Sequence, residues 1–376
     1  MKFVVSSTEL LNHLLAVGRV ISSKNTLPIL DNFLFQLKGG ELVITASDLE
    51  STLTTKMTME NSEGEGDIAV PGRRLTDTLK EFPEQPLTFD ISTENYSVVI
   101  NSENGKYTIS GQNGEDFPQY PVLKEDMKTS VTMNSGTLLK GVGKTLFATA
   151  EDELRPVMNG IFMEFADENT TFVASDAHKL VRYKRFDISS GKESSFIFPK
   201  KPATLLKNIL PKAKSDVIIE FDDKNAFFTF DGYSLVCRLV EGDYPSYNSV
   251  IPTDNPYKLI VDRGDFLNIL RRVSVFSSQS SHLVKLELSS NLMTVSAQDI
   301  DFSISAYEKL PCQYEGEPME IGFKSTFLVD ILNNLSSPEV IMELSDPSRA
   351  AILLPVENEN EQEDVLMLIM PMMINV

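Results

Sequence analysis

One short pattern occurs three times along the chain, and that repetition restricts the possible folds more than any other feature. It reads TLPILDNFLFQLKGGELVITASDLESTL at 26–53, LRPVMNGIFMEFADENTTFVASDAHKLVRY at 154–183 and SHLVKLELSSNLMTVSAQDIDFSISA at 281–306. Each copy is a strand, a polar turn, a second strand closing on an aspartate, and a third strand. In the middle copy Ile161, Met163 and Phe165 alternate with Phe162 and Glu164, the period of a half-buried strand. The closing aspartates are Asp48, Asp176 and Asp299, spaced by 128 and 123 residues.

Helical patterns recur around each copy. The first of each pair starts at Ser6, Asn134 and Asp262, residue types whose side chains cap free N–H groups. Leu10, Leu14 and Val17 mark the buried stripe of the first copy, and Leu139, Val142 and Leu146 that of the second. The second helices follow short strands in AVPGRRLTDTLKEF, FPKKPATLLKNIL and GFKSTFLVDILNNL, with Pro71 and Pro199 where a missing N–H costs little. More strands follow each helix, and Asp116-Phe117-Pro118 and Asp243-Tyr244-Pro245 close the first two copies alike. The chain therefore reads as three α+β domains, 1–126, 127–253 and 254–376. Their short turns and lack of βαβ alternation predict mostly antiparallel sheets.

A length of 376 residues fits two or three domains. Cys237 and Cys312 lie in different copies without CxxC spacing and read as free thiols of a cytoplasmic protein. The apolar stretch Val365–Val376 contains Pro371 and is too short to cross a bilayer, so no membrane partner is expected. Gly141-Val-Gly-Lys-Thr145 imitates the end of a phosphate-binding loop, but position 138 is Leu and the stretch lies inside a helix. No nucleotide, metal or other cofactor is expected. Asp176-Ala-His178 reads as a pocket wall, because the other two copies carry no such histidine. The acidic run Glu357–Asp364 reads as a solvated loop. No nucleophile–base–orienter set can be assembled, so the chain is expected to be no enzyme.

Charge is segregated. The windows 6–24, 71–82, 134–150, 199–214, 262–278 and 323–335 hold 16 Lys+Arg against 6 Asp+Glu, while the rest of the chain holds 18 against 48. The helices thus gather on a basic surface despite a net charge of −20. Helix axes pack ~8–10 Å apart, so a ring lined by twelve helices leaves ~25 Å clear, enough for duplex DNA, and one lined by six does not. A ring around DNA would need at least two chains.

The segments TLPILDNFLFQL with ITASDLE, MNGIFMEF with VASDAHKL, EGDYPSY, MEIGFKSTFLVDIL and IMPMMINV closely resemble the bacterial DNA polymerase III beta subunit family, the beta sliding clamps, along the full length. The resemblance implies three repeated DNA-clamp domains in a head-to-tail dimeric ring, with helices inside and sheets outside. It implies a non-catalytic processivity factor that encircles double-stranded DNA without sequence preference and tethers replicative DNA polymerase, the clamp loader and other clamp-motif proteins. DNA contacts are implied at Lys24, Arg73, Arg74, Arg155, Lys200 and Lys201. Before Asn159-Gly160 the family often carries a Gln and paired tyrosines, where this chain has Asp152-Glu153-Leu154.

A partner-peptide pocket is implied at Met158, Ser175, Ala177, His178, Lys179, Leu180, Pro245, Ser249 and Val250. It continues through Leu368, Ile369, Met370, Pro371, Met372 and Met373; Lys179, Ser249 and Met373 stand where arginines are usual. The thioether-rich tail suits a surface that accepts several partners. The dimer interface is implied at Tyr107 and Ile109 on one end and Val275 and Phe276 on the other. The alternative reading is an acidic three-domain peptide-binding scaffold that does not encircle DNA.

Overall fold

The repeated aspartates close hairpins. In the computed structural model, which describes all residues except 23, 24, 26, 124–127, 190, 375 and 376, Asp48 Oδ1 accepts the N–H groups of Glu50 (3.1 Å) and Ser51 (2.6 Å). Asp176 Oδ1 accepts those of His178 and Lys179, both at 2.9 Å, and Asp299 Oδ1 those of Asp301 (3.0 Å) and Phe302 (3.3 Å). A short carboxylate that bonds its own backbone two and three residues on is what a tight turn asks of this position. Leu49 and Ala177 follow the first two aspartates with φ of 77° and 73°. The third turn is longer: Ser47 pairs with Thr52 and Ser175 with Leu180, but their counterpart Gln298 pairs with Ser305.

Among the described residues six α-helices accompany the sheets: α1 (Ser7–Val17), α2 (Gly72–Lys80), α3 (Ser135–Thr145), α4 (Lys200–Ile209), α5 (Arg263–Val273) and α6 (Ser325–Asn334). The expected caps are in place. Ser6 accepts from Glu9 N–H, Asn134 from Gly136 and Thr137, and Asp262 from Asp265. The expected α1 stripe Leu10, Leu14 and Val17 is fully buried. The α3 stripe needs correction by one residue. Leu138 is buried and Leu139 only half-buried, because Leu138 stands one 3.6-residue turn before Val142.

Among the described residues every strand pairing is antiparallel, in four sheets. The chain divides into two compact units, Met1–Leu139 with Thr204–Leu239, and Lys140–Ala203 with Val240–Val376. The first unit holds a five-stranded sheet ending at the edge strand Lys106–Ser110, and a nine-stranded sheet. In the nine-stranded sheet Ser51–Thr58 of the first repeat pairs with Tyr233–Arg238 of the second, Leu53 opposite Leu235. The second unit holds a four-stranded sheet ending at the edge strand Ile304–Pro311, and another nine-stranded sheet. There Lys179–Arg185 of the second repeat pairs with Glu363–Ile369 of the third, Val181 opposite Met367. Sheets therefore run across both repeat boundaries, which explains why compactness divides the chain in two where the sequence divides it in three. The expected boundary at 126/127 itself lies outside the described residues.

Candidate peptide pocket and nucleic-acid face

The seam between strands 179–185 and 363–369 carries the apolar floor of the candidate pocket. Leu180 lies opposite Leu368, and together with Val173, Tyr247, Ala350, Ile352 and Leu366 they form one buried cluster. Phe162, Tyr244, Ile251 and Leu354 pack against it half-buried, Phe162 stacking on Tyr244 at 4.9 Å between centroids. Burying each such side chain contributes ~1.5–3 kcal/mol. Met158, Ser175 and Ile369 are buried as well. Ala177, His178, Pro245, Ser249 and Val250 stand exposed around this floor, with Met370 and Met373 exposed and Pro371 and Met372 half-buried.

The tail is pinned at two points. Met370 N–H donates to His178 O and Met372 N–H to Gly322 O, each at 2.8 Å. Gly322 is required there, since a Cβ would lie 2.8 Å from Met372 O and 2.9 Å from Leu283 Cδ1. The quasi-equivalent seam of the first and second repeats carries hydroxyls at two of these places. Thr45 and Thr52 replace Val173 and Leu180, and their hydroxyls pair with Thr54 (3.2 Å) and Ser47 (2.9 Å).

Lys179 does not point a charge at a ligand. It is buried, its Nζ bonds Asp176 Oδ2 at 2.8 Å and lies 4.2 Å above the Phe327 ring. His178 stacks on the same ring and Lys324 lies 4.8 Å above it. Burial raises the nearby Asp330 carboxyl, with Lys179 pulling it down and Asp176 pushing it up. Phe327 and Lys324 escaped the sequence reading. The one available signal was a phenylalanine off the buried stripe Ser325, Leu328, Ile331 and Leu332 of α6.

Of the expected DNA contacts, Lys24 lies outside the described residues. Arg73 and Arg74 are exposed in the first turn of α2 beside a cleft of about 700 Å³ lined also by Asn32, Asp77 and Gln112. Arg73 Nε is 3.8 Å from Asp77. In the second unit Arg155 Nε bonds Asp152 Oδ2 and Lys200 Nζ bonds Glu151 Oε1, both at 2.8 Å, and Lys201 is exposed. The false phosphate loop lies in α3. Gly141 is there because a Cβ would meet the Phe172 ring at 2.7 Å, and Lys144 Nζ donates to Asn334 O and Ser336 Oγ.

The acidic run Glu357–Asp364 departs from expectation. Glu359 and Glu363 are not solvated bystanders, because Lys140 Nζ lies 2.7 Å from Glu359 Oε2 and 2.8 Å from Glu363 Oε2. Buried Glu363 also accepts from Tyr183 Oη at 2.9 Å and lies 3.7 Å from Arg185. Burial pulls Lys140 down, but its hydrogen bonds to the two glutamates outweigh this and raise it. Lys140 in turn holds the Glu359 carboxyl at about 2. A depressed carboxylate stabilises the fold above its unfolded value, and this contribution is lost as pH falls through the folded one. Lys140→Ala is expected to cost about 2 kcal/mol at pH 7, less than full burial implies because the lysine is 24% exposed. In urea unfolding at a series of pH values, its difference from wild type should shrink between pH ~4.5 and ~2.

Of the expected seam residues, Tyr107, Val275 and Phe276 are exposed. Ile109, on the same strand, is buried in its own sheet, so a charge there would disturb that sheet as well as any seam. Ile304 and Ala306 lie on the edge strand of the four-stranded sheet, and nothing in one sequence marks a strand as an edge.

Among the described residues no group of three His, Cys, Asp or Glu is placed to hold a metal, and no helix is long and apolar enough to cross a membrane. Both cysteines are free, and burial raises the Cys237 thiol.

Three quasi-equivalent α+β repeats, joined by sheets that cross their boundaries, define a three-domain DNA clamp. Family models for the DNA polymerase III beta subunit match in order: its N-terminal domain at 1–121, central domain at 132–246 and C-terminal domain at 248–373. The Beta sliding clamp of Pseudomonas aeruginosa is 27% identical, covering 99% of this chain and 100% of the relative; that of Vibrio cholerae is 25% identical over 96% and 97%. A sliding clamp from Bartonella birtlesii bound to griselimycin superposes with a TM-score of 0.91 at 30% identity, and one from Pseudomonas aeruginosa bound to the same ligand with 0.92 at 26%, each covering both chains entirely. The chain belongs to the DNA polymerase III beta subunit family, the non-catalytic sliding clamps of replication.

Proposed function

We propose that two copies of this chain close head to tail around duplex DNA and hold a replicative polymerase there through the pocket at 158–180, 245–250 and 368–373. The setting is cytoplasmic, and the three domains are 1–126, 127–253 and 254–376. The observation that carries the ring is the complementarity of the two incomplete sheets. One nine-stranded sheet joins five strands of the first repeat to four of the second, and the other joins four of the second to five of the third, through the pairs 51–58 with 233–238 and 179–185 with 363–369. Their counterparts, 304–311 and 106–110, are left as edges of a four- and a five-stranded sheet. Pairing these edges between copies makes two more nine-stranded sheets and covers both of these edges. Carrying the two internal registers over sets Ala306 opposite Tyr107 of the second copy, and Ile304 opposite Ile109.

Lys24, Arg73 and Arg74 would meet phosphates, with Arg155, Lys200 and Lys201 in the second domain. Replacing Lys24, Arg73 and Arg74 with glutamine should flatten the slope of log K against log salt by roughly 2.7, at ~0.9 per phosphate contact. Binding measured on duplexes of unrelated sequence should fall equally, and a consensus site would sink this reading. Retention on closed circular DNA after loading, with loss on linearisation, separates a ring from a peptide-binding scaffold.

A further inference from the structure

The stretch Glu151–Asn159 is fixed without help from its ion pairs. Ala150 N–H donates to Met158 O (2.9 Å), and Asp152 and Asn159 exchange two hydrogen bonds, Asp152 N–H to Asn159 Oδ1 (2.9 Å) and Asn159 Nδ2 to Asp152 O (3.0 Å). Lys200 N–H donates to Asn159 O at 3.1 Å, which ties the stretch to the start of α4. On this frame the two basic side chains that the DNA reading needs are already engaged: Lys200 Nζ with Glu151 and Arg155 Nε with Asp152, each at 2.8 Å. The carboxyls lie below their ordinary range, Glu151 through Lys200 and Asp152 through Arg155, so both are ionised at neutral pH. Both pairs reach solvent, with side-chain exposures of 82% for Glu151, 51% for Arg155, 37% for Lys200 and 26% for Asp152. Exposed pairs hold weakly, so a phosphate can exchange for the carboxylate, but each cation then gains little net attraction.

We propose that Glu151 and Asp152 are built-in counter-charges that compete with DNA phosphate for Lys200 and Arg155, so that the second domain grips DNA loosely and slides. The inference rests on the DNA reading above and adds two residues to it whose function is to weaken a contact. Affinity in a topological tether is dispensable, since the ring retains DNA without it. Each tightly held phosphate would instead add drag to sliding.

The test is equilibrium binding of the intact dimer to a short labelled duplex, by fluorescence anisotropy between about 50 and 200 mM salt. E151Q/D152N should bind about tenfold more tightly at ~0.1 M salt, with a slope steeper by about 1.8, because two cations now count in full. Adding K200Q and R155Q to that variant should remove the gain. D167N/E168Q takes the same charge from the exposed 166–169 turn of the same domain, and should change affinity less than twofold. If D152N disturbs the fold, E151Q alone carries the test through Lys200, since so exposed a side chain supports nothing else. No tightening in E151Q, or equal tightening in D167N/E168Q, overturns the inference while the wild type still binds duplex with a salt slope. A wild type without that slope overturns the DNA reading itself.

Discussion

Phe276→Asp should turn a dimer into a monomer at micromolar concentration. Phe276 and Val275 form the short turn that ends α5, and they are exposed in the single chain at 38% and 73%. In the closed ring they would cover the paired edges 304–311 and 106–110. An unpaired carboxylate buried there costs several kcal/mol, and a two-fold ring contains the seam twice, so one substitution acts at both. Sedimentation equilibrium reads the result directly. Tyr107→Asp, on the opposite edge, should behave the same way, and its partly exposed side chain makes misfolding a poor explanation. The register is open to a sharper test. A306C with Y107C should form an intermolecular disulfide, because directly opposed residues have Cβ atoms ~4.5–5.5 Å apart, close to disulfide geometry. S305C with Y107C, one residue out of register, places the thiols on opposite faces. If the second pair cross-links as readily as the first, the strand pairing carried over from the internal seams is wrong.

Period and spacing in the sequence already contained most of the fold. Asp48, Asp176 and Asp299 mark three turns because each carboxylate bonds the backbone of its own hairpin, and a local bond leaves a local signature. Ser6, Asn134 and Asp262 were equally legible as caps for the same reason. Non-local features were not. Nothing near Lys140 announces Glu359 and Glu363, more than 200 residues away, so an ion-paired segment read as a solvated loop. Ile109 was legible as apolar on a strand but not as facing inward, since alternation alone gives two faces without saying which is covered. Lys179 stands where the family usually has an arginine, and the fold encloses its charge with Asp176 and Phe327. The pocket's position was carried by family resemblance. The seam of the first and second repeats differs at this place, where hydroxyls at Thr45 and Thr52 stand for Val173 and Leu180.

Removing Met370–Val376 should cost at least a hundredfold in peptide affinity and leave the dimer intact. The floor, with Leu180 opposite Leu368, survives the deletion because both lie inside paired strands. The wall does not: Met370 and Met373 are exposed beside that floor, and among the described residues the segment's backbone is held where its N–H groups reach His178 O and Gly322 O. A partner that inserts two or three apolar side chains gains ~1.5–3 kcal/mol from each when it is fully enclosed. Without one wall the side chains stay half in water, and two of them then account for the expected loss at 1.4 kcal/mol per tenfold. His178 O and Gly322 O turn to water on truncation, so the fold itself should lose little, and neither free sheet edge is touched. Gly322→Ala offers the same outcome without a deletion, since its Cβ would push Met372 out of place. Titrating a labelled clamp-binding peptide from a replicative polymerase into intact, truncated and Gly322→Ala protein reads the loss. Griselimycin, the ligand bound by two of the related clamps, serves as a second probe. A truncated protein that remains dimeric and binds the peptide as tightly as the intact chain would place the pocket elsewhere.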